Sequence, residues 1–120
     1  IGMAIGGMYP HVAHGQALAM VYPACTNYTY ESAIEQYAFL ARTFDPSING
    51  MDNYEAAHSA EKIITDFLKK INLFKRLSEA NIPENEINSL AKQSRVLPDY
   101  SNNPRVATEQ EIVEILKASY

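Results

Sequence analysis

The sequence predicts an all-α protein, a helical bundle of about six helices, and three observations carry that prediction. Apolar residues recur at helical spacing from Glu31 onward, no run alternates with period two, and Pro, Gly and Asn clusters punctuate the chain at helix-length intervals. A length of 120 residues, 47% of them apolar and 20% charged, is the size and composition of one globular domain.

The elements follow in order. A Gly-containing helical piece precedes the break at Pro10 to Gly15. A second helix starts at about His14 and runs through Ala17, Leu18, Met20 and Val21, with Pro23 near a kink or end. Ile34, Tyr37, Ala38, Ala41 and Phe44 then fall on one face of a third helix, which Asp45-Pro46 and Asn49-Gly50 stop. The fourth helix is the longest stripe: Ala56, Ala57, Ala60, Ile63, Ile64, Phe67, Leu68 and Ile71, backed by Glu61, Lys62, Asp66, Lys69 and Lys70.

A connector from Leu73 to Asn81 leads to Pro83, placed at the first helical position, where a missing N–H costs nothing. Ile87, Leu90 and Ala91 mark the buried face of that fifth helix, which ends before Pro98. Ser101 to Pro104 reads as a loop. The last helix opens with Thr108 and Glu111 as a capping box and buries Ile112, Ile115 and Leu116.

Charge is distributed unevenly. All ten Lys/Arg and all fourteen Asp/Glu lie at or after Glu31, so the first thirty residues carry no formal charge. A small domain buries only about two-thirds of its chain surface, and thirty neutral residues ask for more cover than the rest can supply. The expectation is a piece of something larger. A net charge of -4 without a basic cluster excludes nucleic acid as a partner. Gly6, Gly7, Pro10, Gly15 and Pro23 interrupt the neutral stretch too often for a membrane span, and it lacks the charged n-region and small-residue cleavage site of a signal peptide. With one cysteine, Cys25, no internal disulfide forms, which fits a reducing, cytoplasmic location. The Asn27-Tyr28-Thr29 sequon, without a secretory signal, is a chance match.

Candidate chemistry centres on histidine. His58 sits on a polar helix flank and reads as a solvated surface residue. His11 and His14 lie three apart around a turn in the neutral segment, where an imidazole can be a metal ligand, a catalytic group or a hydrogen-bonded core residue. A divalent metal wants three or four protein ligands, and this chain offers no others nearby. Glu84, Glu86, Glu109, Glu111 and Glu114 stand in first helical turns, where carboxylates complement the dipole. Gly2, Gly6 and Gly7 lack the Lys-Ser/Thr of a phosphate loop and read as close helix packing. Cys25 reads as buried filler, and Met3, Met8 and Met20 as apolar lining.

The residues around His14 also resemble a known family. Ala4-Ile5-Gly6-Gly7, then Val12-Ala13-His14-Gly15-Gln16-Ala17-Leu18-Ala19 and Pro23, are similar to the histidine-rich segment of iron-containing alcohol dehydrogenases. Asn103-Pro104-Arg105, Thr108, Glu111-Ile112, Ile115-Leu116 and Ser119-Tyr120 resemble that family's ending. The resemblance spans the chain but covers only about the last third of a family member.

It implies a two-domain parent enzyme with a dehydroquinate-synthase-like architecture. In that parent an N-terminal Rossmann-like domain binds NAD(P), and residues 1–120 are part of an all-α, metal-binding C-terminal domain. One Asp and three His hold Fe²⁺ or Zn²⁺ in the family, and His14 matches the last of those histidines; the other ligands would precede Ile1. Met3 stands where the family carries a proton-relaying histidine, and methionine moves no proton. The stretch from Met8 to Ala13 is one residue longer than usual, which leaves His11 as an alternative to His14. The implied partners are the N-terminal domain, a small alcohol or aldehyde, and further copies in a homo-oligomer. The implied reaction is hydride transfer between alcohol and nicotinamide with the metal as Lewis acid, and the chain alone is expected to be inactive. A second reading, a stand-alone non-catalytic module with an apolar partner surface, rests on the neutral N-terminal segment.

Overall fold

The computed structural model describes residues 1–120 and contains seven α-helices and no strand. They are α1 (Gly2–Met8), α2 (His14–Thr29), α3 (Ile34–Phe44), α4 (Asn53–His58), α5 (Ala60–Lys70), α6 (Ile87–Gln93) and α7 (Glu109–Ala118), joined by short 3₁₀ turns. No helix is long and apolar enough to cross a membrane.

The seventh helix arises where one was expected. The stripe from Ala56 to Ile71 is divided at Ser59, whose hydroxyl donates to the Ala56 carbonyl at 2.7 Å while its ψ opens to -11°. A serine that bonds back to its own helix competes with the regular ladder and bends it. The stripe is also less continuous than its spacing suggests, since Phe67 and Ile71 are exposed while Ala56, Ala57, Ala60, Ile64 and Leu68 are buried. On α3, Ala38 and Ala41 are buried, but Phe44 lies exposed with its ring 4.7 Å from that of Phe67.

Two prolines depart from expectation. Pro23 lies inside α2, which runs on to Thr29. The lost backbone bond is tolerated because α2 is held on three sides by α1, α5 and α7. Pro83 is extended, with ψ 137°, and precedes a 3₁₀ turn at Glu84–Glu86 that feeds α6. The Thr108–Glu111 capping box forms as expected. Thr108 Oγ1 accepts from the Glu111 N–H at 3.3 Å, and Glu111 Oε2 accepts from the Thr108 N–H at 2.9 Å.

Two cores result. The larger joins α1, α2, α6 and α7 through Ile5, Val12, Met20, Leu90, Ile112 and Leu116. Leu77, from the segment expected to be a plain connector, and Ile82, directly after it, are fully buried in it. The smaller lies between α3 and α4 and is built on Ala38, Ala41, Ala56, Ala57 and Ala60. Ala19 of α2 meets Ile64 and Leu68 of α5 between them.

Much of the neutral N-terminal segment therefore forms the centre of the larger core. Of its large apolar side chains, Met3, Leu18 and Tyr22 remain uncovered, 55%, 46% and 45% exposed. Gly2 is the one glycine of the first turn that packs closely, since a Cβ there would stand 2.6 Å from Leu18 Cδ2. Gly6 and Gly7 have open space where a Cβ would go, so close packing does not account for them.

The last turn of α2 is fastened to the first turn of α7. Arg105 Nη1 donates to the Tyr28 carbonyl at 3.1 Å, its guanidinium lies 4.0 Å over the Tyr28 ring, and its Nη2 reaches Glu111 Oε1 at 3.3 Å. Asn103 Nδ2 donates to Thr29 Oγ1 at 3.1 Å and to the Arg105 carbonyl at 2.7 Å. A cation at the C-terminal end of a helix complements its dipole.

Candidate functional site

His14 is the first residue of α2. Ala13 before it is extended, no side chain caps the helix start, and no acid sits in the first turn. The exposed imidazole lines an open groove of about 540 Å³. Met3 and Met8 of α1 and Leu18 of α2 form one wall of that groove, and Val96, Leu97, Asp99 and Tyr100, between α6 and α7, form the other. Neither ring nitrogen of His14 takes part in a hydrogen bond within the chain, unlike those of a histidine built into a core.

His11 is turned to other work. Its Nε2–H donates to the Ala80 carbonyl at 3.0 Å, and its ring meets Tyr9 edge-on at 6.1 Å. The Tyr9 hydroxyl in turn donates to Glu86 Oε2; burial first, and that bond second, push the phenol up to about 12. The pair fastens the turn before α2 to the connector and to α6, and His11 does not line the groove. His58 is exposed and stacks on Tyr54, with ring planes 16° apart.

Cys25 is half-buried beside a smaller apolar cavity of about 250 Å³ between α2 and α7. Burial pushes its thiol up to about 11, so it stays protonated and poorly nucleophilic at neutral pH. Met20 is core, whereas Met3 is exposed in the groove. No three His, Cys, Asp or Glu side chains come together closely enough to hold a metal ion. A divalent ion on His14 would need its other donors from outside these residues.

The segment facing His14 was not singled out from sequence. Pro98 marks only the end of a helix, yet two large apolar residues directly before it, Val96 at 64% and Leu97 at 43% exposure, line the groove. Apolar residues in a short interhelical loop, where solvent would favour polar ones, were the available signal.

The whole chain, residues 1–120, matches the model of the Fe-containing alcohol dehydrogenase family, C-terminal. It is 26% identical to the NAD-dependent methanol dehydrogenase of Bacillus methanolicus over 117 residues, which cover 98% of this chain and 30% of that enzyme. Lactaldehyde reductase of Escherichia coli K12 is 26% identical over 121 residues, 99% of this chain and 31% of that protein. The sulfoacetaldehyde reductase of Bilophila wadsworthia is also 26% identical, over 126 residues, 98% of this chain and 32% of its own length. In three dimensions the chain superposes on a 1,3-propanediol oxidoreductase with a TM-score of 0.91 at 26% identity, covering 99% of this chain and 31% of that one. It thus spans under a third of the length of these relatives, and it belongs to the Fe-containing alcohol dehydrogenase family as that family's C-terminal helical part.

Proposed function

We propose that this chain is the C-terminal helical part of an NAD(P)-dependent alcohol dehydrogenase that interconverts a small alcohol and its aldehyde on Fe²⁺ or Zn²⁺. The observation that carries the reading is the family match across residues 1–120. The relatives are named for neutral substrates, methanol and lactaldehyde, and for an anionic one, sulfoacetaldehyde.

His14 would hold the metal at the mouth of the groove, with its remaining protein ligands and the dinucleotide supplied by the rest of the enzyme. Such a metal, when bound, supplies Lewis acidity that lowers the pKa of an alcohol oxygen. His14 heads a helix whose far end is fastened to α7, so its ring is presented on a rigid element. Met3, Leu18, Val96 and Leu97 give the groove apolar walls that keep water from the reacting carbon and strengthen local fields. Met3 offers no proton path, and His11 is engaged with Ala80, so a proton leaving the substrate must travel by solvent or by groups outside this chain.

The test is His14→Ala in the two-domain enzyme. Loss of even a group that only orients a ligand costs about 10- to 100-fold in metal affinity or activity, and losing the ligand itself costs at least that. The expected result is metal-dependent turnover lowered at least a hundredfold with dinucleotide affinity nearly intact. If His14→Ala keeps its metal, by elemental analysis, while His11→Ala loses it, the ligand is His11.

A further inference from the structure

The groove is defined by fourteen residues, and apart from His14 only one of them has an ionisable acidic or basic side chain near neutral pH, Asp99. No Lys or Arg lines it. Asp99 is exposed in the first turn of the 3₁₀ helix Pro98–Asn102, on the wall opposite α1 and His14. Arg95, the nearest cation in sequence, lies over the Tyr100 ring at 5.1 Å and is not part of the lining. On the same wall Val96 and Leu97 are apolar, and the polar residues beside them, Gln93, Ser94 and Tyr100, bring no positive charge.

We propose that Asp99 is a specificity-determining residue whose carboxylate makes the groove select neutral alcohols and aldehydes over those that carry a sulfonate, carboxylate or phosphate. This rests on the function proposed above and names the substrate class it admits. The reacting oxygen is recognised alike in both kinds of substrate, so only the tail tells them apart. A negative tail in a groove of this size comes near the Asp99 carboxylate, and no Lys or Arg of the lining offsets it. At about 6 Å the repulsion disfavours the anion by about threefold if the groove behaves like water and about a hundredfold at an effective dielectric of 20. Asp99 is exposed, and at physiological ionic strength, with a Debye length of about 8 Å, salt roughly halves that repulsion.

The experiment compares kcat/KM for propanal and for sulfoacetaldehyde in the two-domain enzyme, wild type against Asp99→Asn and Asp99→Glu. The neutral-to-anionic preference is expected to fall about tenfold in Asp99→Asn and to return in Asp99→Glu. An equal ratio in all three proteins overturns the proposal. An enzyme that turns over no alcohol or aldehyde at all overturns the proposed function instead, and the charge claim is then decided on the isotope-labelled two-domain protein. There, a cationic nitroxide should relax the amide protons of Gly7 and His14 more than an anionic nitroxide of the same size, and Asp99→Asn should bring the two together. Equal relaxation in the wild-type protein sinks the inference.

Discussion

The two cores hold their helices together with different materials. Around α1, α2, α6 and α7 the filling is branched and bulky, with Ile5, Leu77, Ile82, Leu90 and Leu116 each less than 2% exposed. Between α3, α4 and the start of α5 five alanines pack with only two larger buried residues, Tyr30 and Ile48, and the aromatics Phe39, Phe44 and Tyr54 stand outside at 73%, 43% and 52% exposure. A bulky core gains most of its stability from apolar area removed from water, whereas an alanine seam gains less per residue but brings helix axes close. The site-bearing groove rests on the first kind, through Ala4 and Met8 of its lining.

The largest expected effect comes from emptying the bulky core. Leu116→Ala removes a fully buried side chain where α7 meets α2 and α6, and should cost about 2–5 kcal/mol, with a cavity adding to the lost transfer energy. Denaturant melts of this variant would read the cost directly; a loss below 1 kcal/mol would break the contrast between the cores. Next comes the reverse change in the alanine seam. Ala57→Leu, at a site 1% exposed, forces α3 and α4 apart and should cost about 1–3 kcal/mol, whereas a leucine placed on the outer face, Glu55→Leu, should cost under about 0.5 kcal/mol.

The smallest effect is electrostatic and lets acid distinguish the two ends of the molecule. Backbone and hydroxyl donors from Thr108, with Arg105 nearby, lower Glu111 from its ordinary 4.5 to about 2. Because the folded value is the lower one, its contribution is present above pH 4.5 and is lost as the pH falls towards 2. Asp45, lowered by the Ser47 hydroxyl and N–H, does the same at the start of the turn after α3. Both are solvent-exposed, so the melting temperature should drop only modestly between pH 5 and pH 2.5. Hydrogen exchange over that range should show α7 fraying at its first turn, and Glu111→Gln should flatten the pH dependence.

Most of the helices were legible in the sequence because their signals are local. The Thr108–Glu111 box needs only four consecutive residues to form, and it formed. The buried faces of α6 and α7 follow from spacing alone, and Ile87, Leu90, Ile112, Ile115 and Leu116 are all buried. What spacing does not contain is which apolar residue finds a partner across the fold. Phe67 and Leu68 are equivalent as letters in a stripe, yet only Leu68 faces Ala19 of α2. Pro23 is unreadable for the same reason, since its place inside a helix depends on neighbours distant in sequence. At the site, His14 stood out as a histidine in a neutral segment. Asp99 and Val96 did not, because a wall made by a loop returning from another helix pair has no local signature.

The Asn103–Arg105 turn, finally, works at a distance. α2 is 16 residues long, about 24 Å at 1.5 Å per residue, and Arg105 grips it at the end opposite His14. The helix is thus a lever with its fulcrum at α7, and a tilt of about 2° at the grip sweeps the imidazole through about 0.8 Å over that length. Misplacement by about 1 Å is enough to cost a hundredfold in a reaction that depends on alignment. On the proposed function, an arginine at the far end of α2 thereby shares with α1 and α5 in setting the aim of His14.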